Sequence, residues 1–192
     1  MTKTTKPPVR PPNGLIAWQM TLGYINAHHS PDARLKLEAY PLKDHIAWAG
    51  AVSWGQVGES VRDLPSLPDV LRGLWSEVSR YHRIFDKEAA AVRRPAGYSD
   101  TEWLDIPTQD ALHRLLWMTL TAFAWADWRL VIVYQPAQTP AQRVQTRLIL
   151  PSDKRARVGG RGANVVGALR DCFGNAIPIF SEHVGDFSTE EE

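Results

Sequence analysis

The feature that most restricts the fold is an order of amphipathic segments that occurs twice at one spacing. In the first half, GLIAWQMTLGYINAHH follows Asn13, a candidate N-cap, and places Leu15, Trp18, Leu22 and Ile25 on one helical face. ARLKLEAY alternates Leu35, Leu37 and Ala39 with polar residues, the period of a half-buried strand. HIAWAGAVSW reads as a second strand, and the short PLKD connector makes the pair a hairpin. Ser66 and Asp69 with Pro68 predict the start of a helix that buries Leu71, Leu74, Trp75, Val78 and Phe85.

The second half repeats the order. QDALHRLLWMTLTAFAW is a helix apolar almost all round, WRLVIVYQ and VQTRLIL are strands, and NVVGALRDCFG is a helix expected to end at Gly174. Leu35 aligns with Leu130, Leu37 with Ile132, Val70 with Val165 and Leu74 with Leu169, all at 130 less 35, or 95 positions. Two strands alone are marginal, so sharing one sheet would bury their long edges. The sequence therefore predicts an α+β protein: two tandem α-β-β-α repeats forming one pseudo-dimeric domain on an antiparallel four-stranded sheet. The alternative is two small separate α+β domains. The expected divisions are a flexible basic, proline-rich tail over 1–12, a first repeat over 13–85, a linker over 86–106, a second repeat over 107–180 and an acidic flexible tail over 181–192. The order resembles that of small α+β chaperone and adaptor folds in architecture, without a shared motif, and architecture does not carry function.

Charge and cysteine content narrow the functional classes. Lys and Arg number 22 against 21 acids, so no whole-molecule field draws in nucleic acid or anionic lipid. Attraction must be local. A single cysteine, Cys172, excludes an internal disulfide and a cysteine metal cluster, and points to a reducing, cytoplasmic setting. No apolar run has the length of a membrane span or serves as a signal peptide, so no membrane partner is expected.

The strongest local signal is KRARVGGRGANVVGALRDC. Lys154, Arg155, Arg157 and Arg161 surround an apparent glycine-rich turn, and Asn164 stands where a helix begins. A helix N-terminus beside cations suits an anion. The Walker triplet is missing, however, and Val165 occupies the position where a dinucleotide fingerprint needs glycine. Trp103, Tyr98 and Trp128 are the candidate partner-binding aromatics, whereas Trp18, Trp48, Trp54, Trp75 and Trp117 fall in phase with apolar faces and read as core.

No nucleophile elbow or metal-ligand spacing occurs, and nothing asks for a cofactor. These features lead to a non-catalytic cytoplasmic protein-binding or accessory protein. One alternative is a nucleic-acid-binding accessory protein that uses 154–164, extended by Arg72, Arg80, Arg83, Arg93 and Arg94. Another is an enzyme with a pocket between the repeats, for which His113, Asp110 and His82 are the first residues to consider.

Overall fold

A computed structural model describes residues 14–81, 104–151 and 157–184. Its elements are α1 (Leu15–His28), β1 (Arg34–Leu42), β2 (His45–Trp54), β3 (Val57–Leu64), α2 (Leu67–Tyr81), α3 (Ile106–Phe123), β4 (Arg129–Tyr134), a short 3-10 turn (Pro140–Gln142), β5 (Val144–Ile149), β6 (Arg157–Gly162) and α4 (Val165–Val184). All six strands belong to one antiparallel sheet in the order β3-β2-β1-β4-β5-β6.

The expected four-stranded sheet is therefore corrected to six strands, and the αββα unit to helix, three strands, helix in each half. The two missed strands are the two edges. β3 reads VGESVRDL and β6 reads RVGGRG, and both carry too few apolar residues to show a strand period. The alternative of two separate domains also falls, because β1 pairs with β4 and Leu37 faces Ile132 across that seam. The glycine-rich segment is not a turn but an edge strand.

Period two divides each strand between two faces. Leu35 and Leu37 on β1, Trp48 and Val52 on β2, Leu130 and Ile132 on β4, and Leu148 on β5 join residues of all four helices in one buried core. Leu15, Trp18, Leu22 and Ile25 of α1 are buried there as their spacing predicts. The Trp18 indole N–H donates to the Leu71 carbonyl at 3.2 Å, and its ring meets Trp75 edge-on.

Capping fixes the helix starts. Ser66 and Asp69 form the expected reciprocal pair at α2. Asp105 caps α3 by accepting from the Thr108 amide at 2.9 Å, with Pro107 in the first turn. α4 runs through Gly174 and Pro178 to Val184, past its expected end. Ala176 and Phe180 continue the buried stripe of Val165, Ala168, Leu169 and Cys172, so burial outweighs the local helix-breaking preference.

The glycines of β6 serve packing. A Cβ on Gly160 would lie 2.2 Å from the Ala168 carbonyl oxygen and 2.3 Å from the Cys172 nitrogen. One on Gly162 would lie 2.7 Å from the Ala168 nitrogen. Strand and helix thus meet backbone to backbone, and the buried Thr146 hydroxyl donates to the Ala168 carbonyl at 2.8 Å beneath them. None of the helices among the described residues is long and apolar enough to cross a membrane.

Candidate binding face

With all four helices in the core on one side, the opposite face of the sheet has no helix on it among the described residues. An antiparallel sheet tolerates this when its outward positions are polar. Here the polar side chains gather over one half of the sheet, while β2 turns Ala47, Ala49 and Ala51 outward. Over β1, β4, β5 and β6 a groove of about 760 Å³ is floored by Val131, Val133 and Ile149, and Arg34, Arg129, Arg147 and Arg161 rise around it. Arg157, which pairs with Ile149, stands on the same face of β6. All five arginines are exposed.

The charges are unevenly matched. Lys36 and Glu38 form an ion pair within β1. Asp171 uses a carboxylate oxygen to accept the Arg161 amide N–H at 2.8 Å. The Arg129 guanidinium lies 5.8 Å from the centroid of the Tyr40 ring, and the Tyr40 hydroxyl donates to Asp63 at 2.6 Å. Burial, followed by the Asp63 hydrogen bond, raises the Tyr40 pKa above its ordinary value. Among the described residues, the guanidinium groups of Arg34, Arg147, Arg157 and Arg161 have no carboxylate partner. Among the described residues, the groove lining together with Arg157 holds six cations and two carboxylates, with the Asp63 carboxylate beyond it on Tyr40; the chain's net charge is +1, so the remainder of the chain is net acidic.

The structure brings together some of the sequence candidates and separates others. Arg157 and Arg161 share the outer face, whereas Lys154 and Arg155 lie outside the described residues. Asn164 is committed to α4, where its side chain accepts from the Gly167 amide at 2.8 Å. Trp128 is removed from the surface: it is 1% exposed, and its indole donates to the Ala124 carbonyl at 3.2 Å. Trp103 and Tyr98 lie outside the described residues. Trp117, expected in the core, is 55% exposed on α3.

Arg72 pairs with Asp69 in the helical layer. The Arg80 side chain, Arg83, Arg93 and Arg94 are not among the described groups. Of the residues considered for catalysis, Asp110 pairs with Arg114 at 3.1 Å on the exposed side of α3, His113 is exposed on the same helix, and His82 lies outside the described residues. Asp110, Arg114, Arg170 and Phe173 line a separate cavity of about 190 Å³.

The sequence reading missed Arg34, Arg129, Arg147 and the aliphatic floor. The signal was present as the polar half of each strand alternation, but it gains meaning only when the strand order places β1, β4, β5 and β6 side by side. The edge of this half-sheet is partly covered by α4. The Asn175 side-chain amide donates to the Gly159 carbonyl at 2.8 Å, and Asp171 holds the Arg161 amide, so two α4 side chains occupy outward backbone groups of β6. No protein-family model matches the chain, and no curated protein matches it.

Proposed function

We propose that this is a non-catalytic binding protein whose partner, another protein, docks on the outer face of the sheet. The observation that carries this reading is the aliphatic floor of Val131, Val133 and Ile149 set among arginines that have no carboxylate partner among the described residues. Apolar contact supplies a desolvated centre, and arginine, a residue enriched at protein interfaces, supplies directional hydrogen bonds around it. Occupation of the β6 edge by Asp171 and Asn175 favours face docking over strand addition at that edge. A cytoplasmic setting belongs to the same reading and rests on the single cysteine.

The same arginines favour a second reading, a nucleic-acid surface. Among the described residues, the groove lining offers that reading no stacking platform. The ring on this part of the face is Tyr40, which lies against Arg129, and the positions between the cations are aliphatic.

Photocrosslinking tests the reading. A benzophenone amino acid at Val133, compared with one at exposed Thr121 on α3, should yield a discrete protein adduct from the cells that make this chain. The identified partner, once purified, should bind the wild-type chain and lose affinity for Val131→Asp with the fold intact. Equal adducts from both positions, or an adduct to nucleic acid, would overturn it.

A further inference from the structure

Strand register places three arginines of the outer face on a line. Arg147 on β5 faces Val131 on one side and Gly159 on the other. Arg129 is therefore displaced by two residues from Arg147 on the neighbouring strand. Arg161 is displaced by two residues in the opposite sense, facing Gln145. Each step moves one strand across and two residues along, and such diagonal neighbours lie roughly 7–8 Å apart. Arg129, Arg147 and Arg161 thus form a diagonal about 15 Å long over β4, β5 and β6.

From this diagonal, and resting on the face-docking reading above, we infer that the partner presents an extended acidic segment with carboxylates on alternate residues. Side chains on one side of an extended chain recur every 6.6–6.8 Å or so, which arginine stems can match to the diagonal spacing. Arginine is the suitable cation, because its planar fork donates two hydrogen bonds to one carboxylate. The Arg129 guanidinium lies 5.8 Å from the centroid of the Tyr40 ring, a charge–ring contact that does not consume a carboxylate-binding hydrogen bond. Lys36 lies nearby but already has Glu38. A second copy of this chain is a poor occupant through the same face, since arginines would meet arginines.

Fluorescence anisotropy with the full chain tests the inference. The probes are a fluorescein-labelled ten-residue peptide alternating Glu and Thr, a peptide of the same composition with its glutamates grouped, and a ten-nucleotide oligo-dT. The alternating peptide should bind more tightly than the other two. Arg147→Glu and Arg161→Glu should each weaken it by about tenfold or more, the loss expected for a charge-assisted contact, while Arg170→Glu in the helical layer leaves it unchanged. Unaltered melting of the variants would show that their folds are intact. Equal binding by all variants, no binding of the alternating peptide, or tighter binding of oligo-dT would overturn the inference. A partner crosslinked at Val133 yet indifferent to Arg147→Glu would sink the acidic segment and leave face docking standing.

Discussion

Replacing Gly160 by alanine should damage the fold, although the change adds one methyl group to a strand. The ideal Cβ lies 2.2 Å from the Ala168 oxygen and 2.3 Å from the Cys172 nitrogen, and both obstacles are helix backbone. To reach 3.0 Å from the oxygen, α4 must retreat by about 0.8 Å, that is 3.0 less 2.2. A gap of that size costs a quarter to a half of the dispersion energy at each contact it opens. Val165, Ala168, Leu169 and Cys172, all buried on α4, share that loss. The hydrogen bond from Thr146 to Ala168 lengthens with it. Overpacking alone costs about 1–3 kcal/mol, and the rigid obstacle puts this case at the upper end, about 3 kcal/mol. For a chain of this size that corresponds to a fall in Tm of roughly 6–12 °C.

The neighbouring glycine provides the control. A Cβ on Gly159 meets nothing closer than the Thr146 oxygen at 3.7 Å, an ordinary contact on an exposed face. Gly159→Ala should be neutral or add up to about 1 kcal/mol, because alanine loses less backbone freedom on folding. Thermal and urea denaturation followed by tryptophan fluorescence would read both. If Gly160→Ala melts within about 2 °C of the wild type, the packing argument is wrong.

Asn164→Ala should cost about 1 kcal/mol in urea denaturation through loss of the α4 cap, with peptide binding unchanged, since its side chain is already engaged by Gly167. Trp128→Ala should cost about 3–5 kcal/mol, whereas Trp117→Ser should stay within roughly 0.5 kcal/mol, a contrast that calorimetry can read. Burial raises the Cys172 thiol pKa above its ordinary 9.0, so the native protein should resist a thiol reagent at pH 8 and react once unfolded. The sign for stability follows from the same shift. The contribution is complete below the unfolded pKa near 9.0 and is lost as pH rises through the higher native value, so urea midpoints should fall on the alkaline side.

Legibility in the sequence followed the number of core contacts an element makes. α1 carries its buried stripe at Leu15, Trp18, Leu22 and Ile25, and β1 shows its alternation, because each is bound to the core along its length. The edge strands are less constrained. β3 carries Arg62 and Asp63 near its end, and β6 gives up side chains so that α4 can approach. A glycine chosen for space looks in sequence like a glycine chosen for a turn. Trp117 misled for another reason: on a helix apolar almost all round, phase does not identify the buried side.

The candidate face was hidden because no single stretch contains it. The segment from Lys154 to Asn164 draws attention through local density, but period two sends Val158 and Gly160 inward and leaves Arg157 and Arg161 outside. The other members of the diagonal, Arg129 and Arg147, are lone cations in the alternation of strands whose other residues form the core and the floor. Their grouping depends on the β4–β5 register. Slipping it by one residue would turn Arg147 into the core and Leu148 out to solvent. The core therefore selects the register, and the register assembles the arginines. Arg147→Glu should consequently alter binding without altering pairing, whereas exchanging the residues at 147 and 148 should disrupt both.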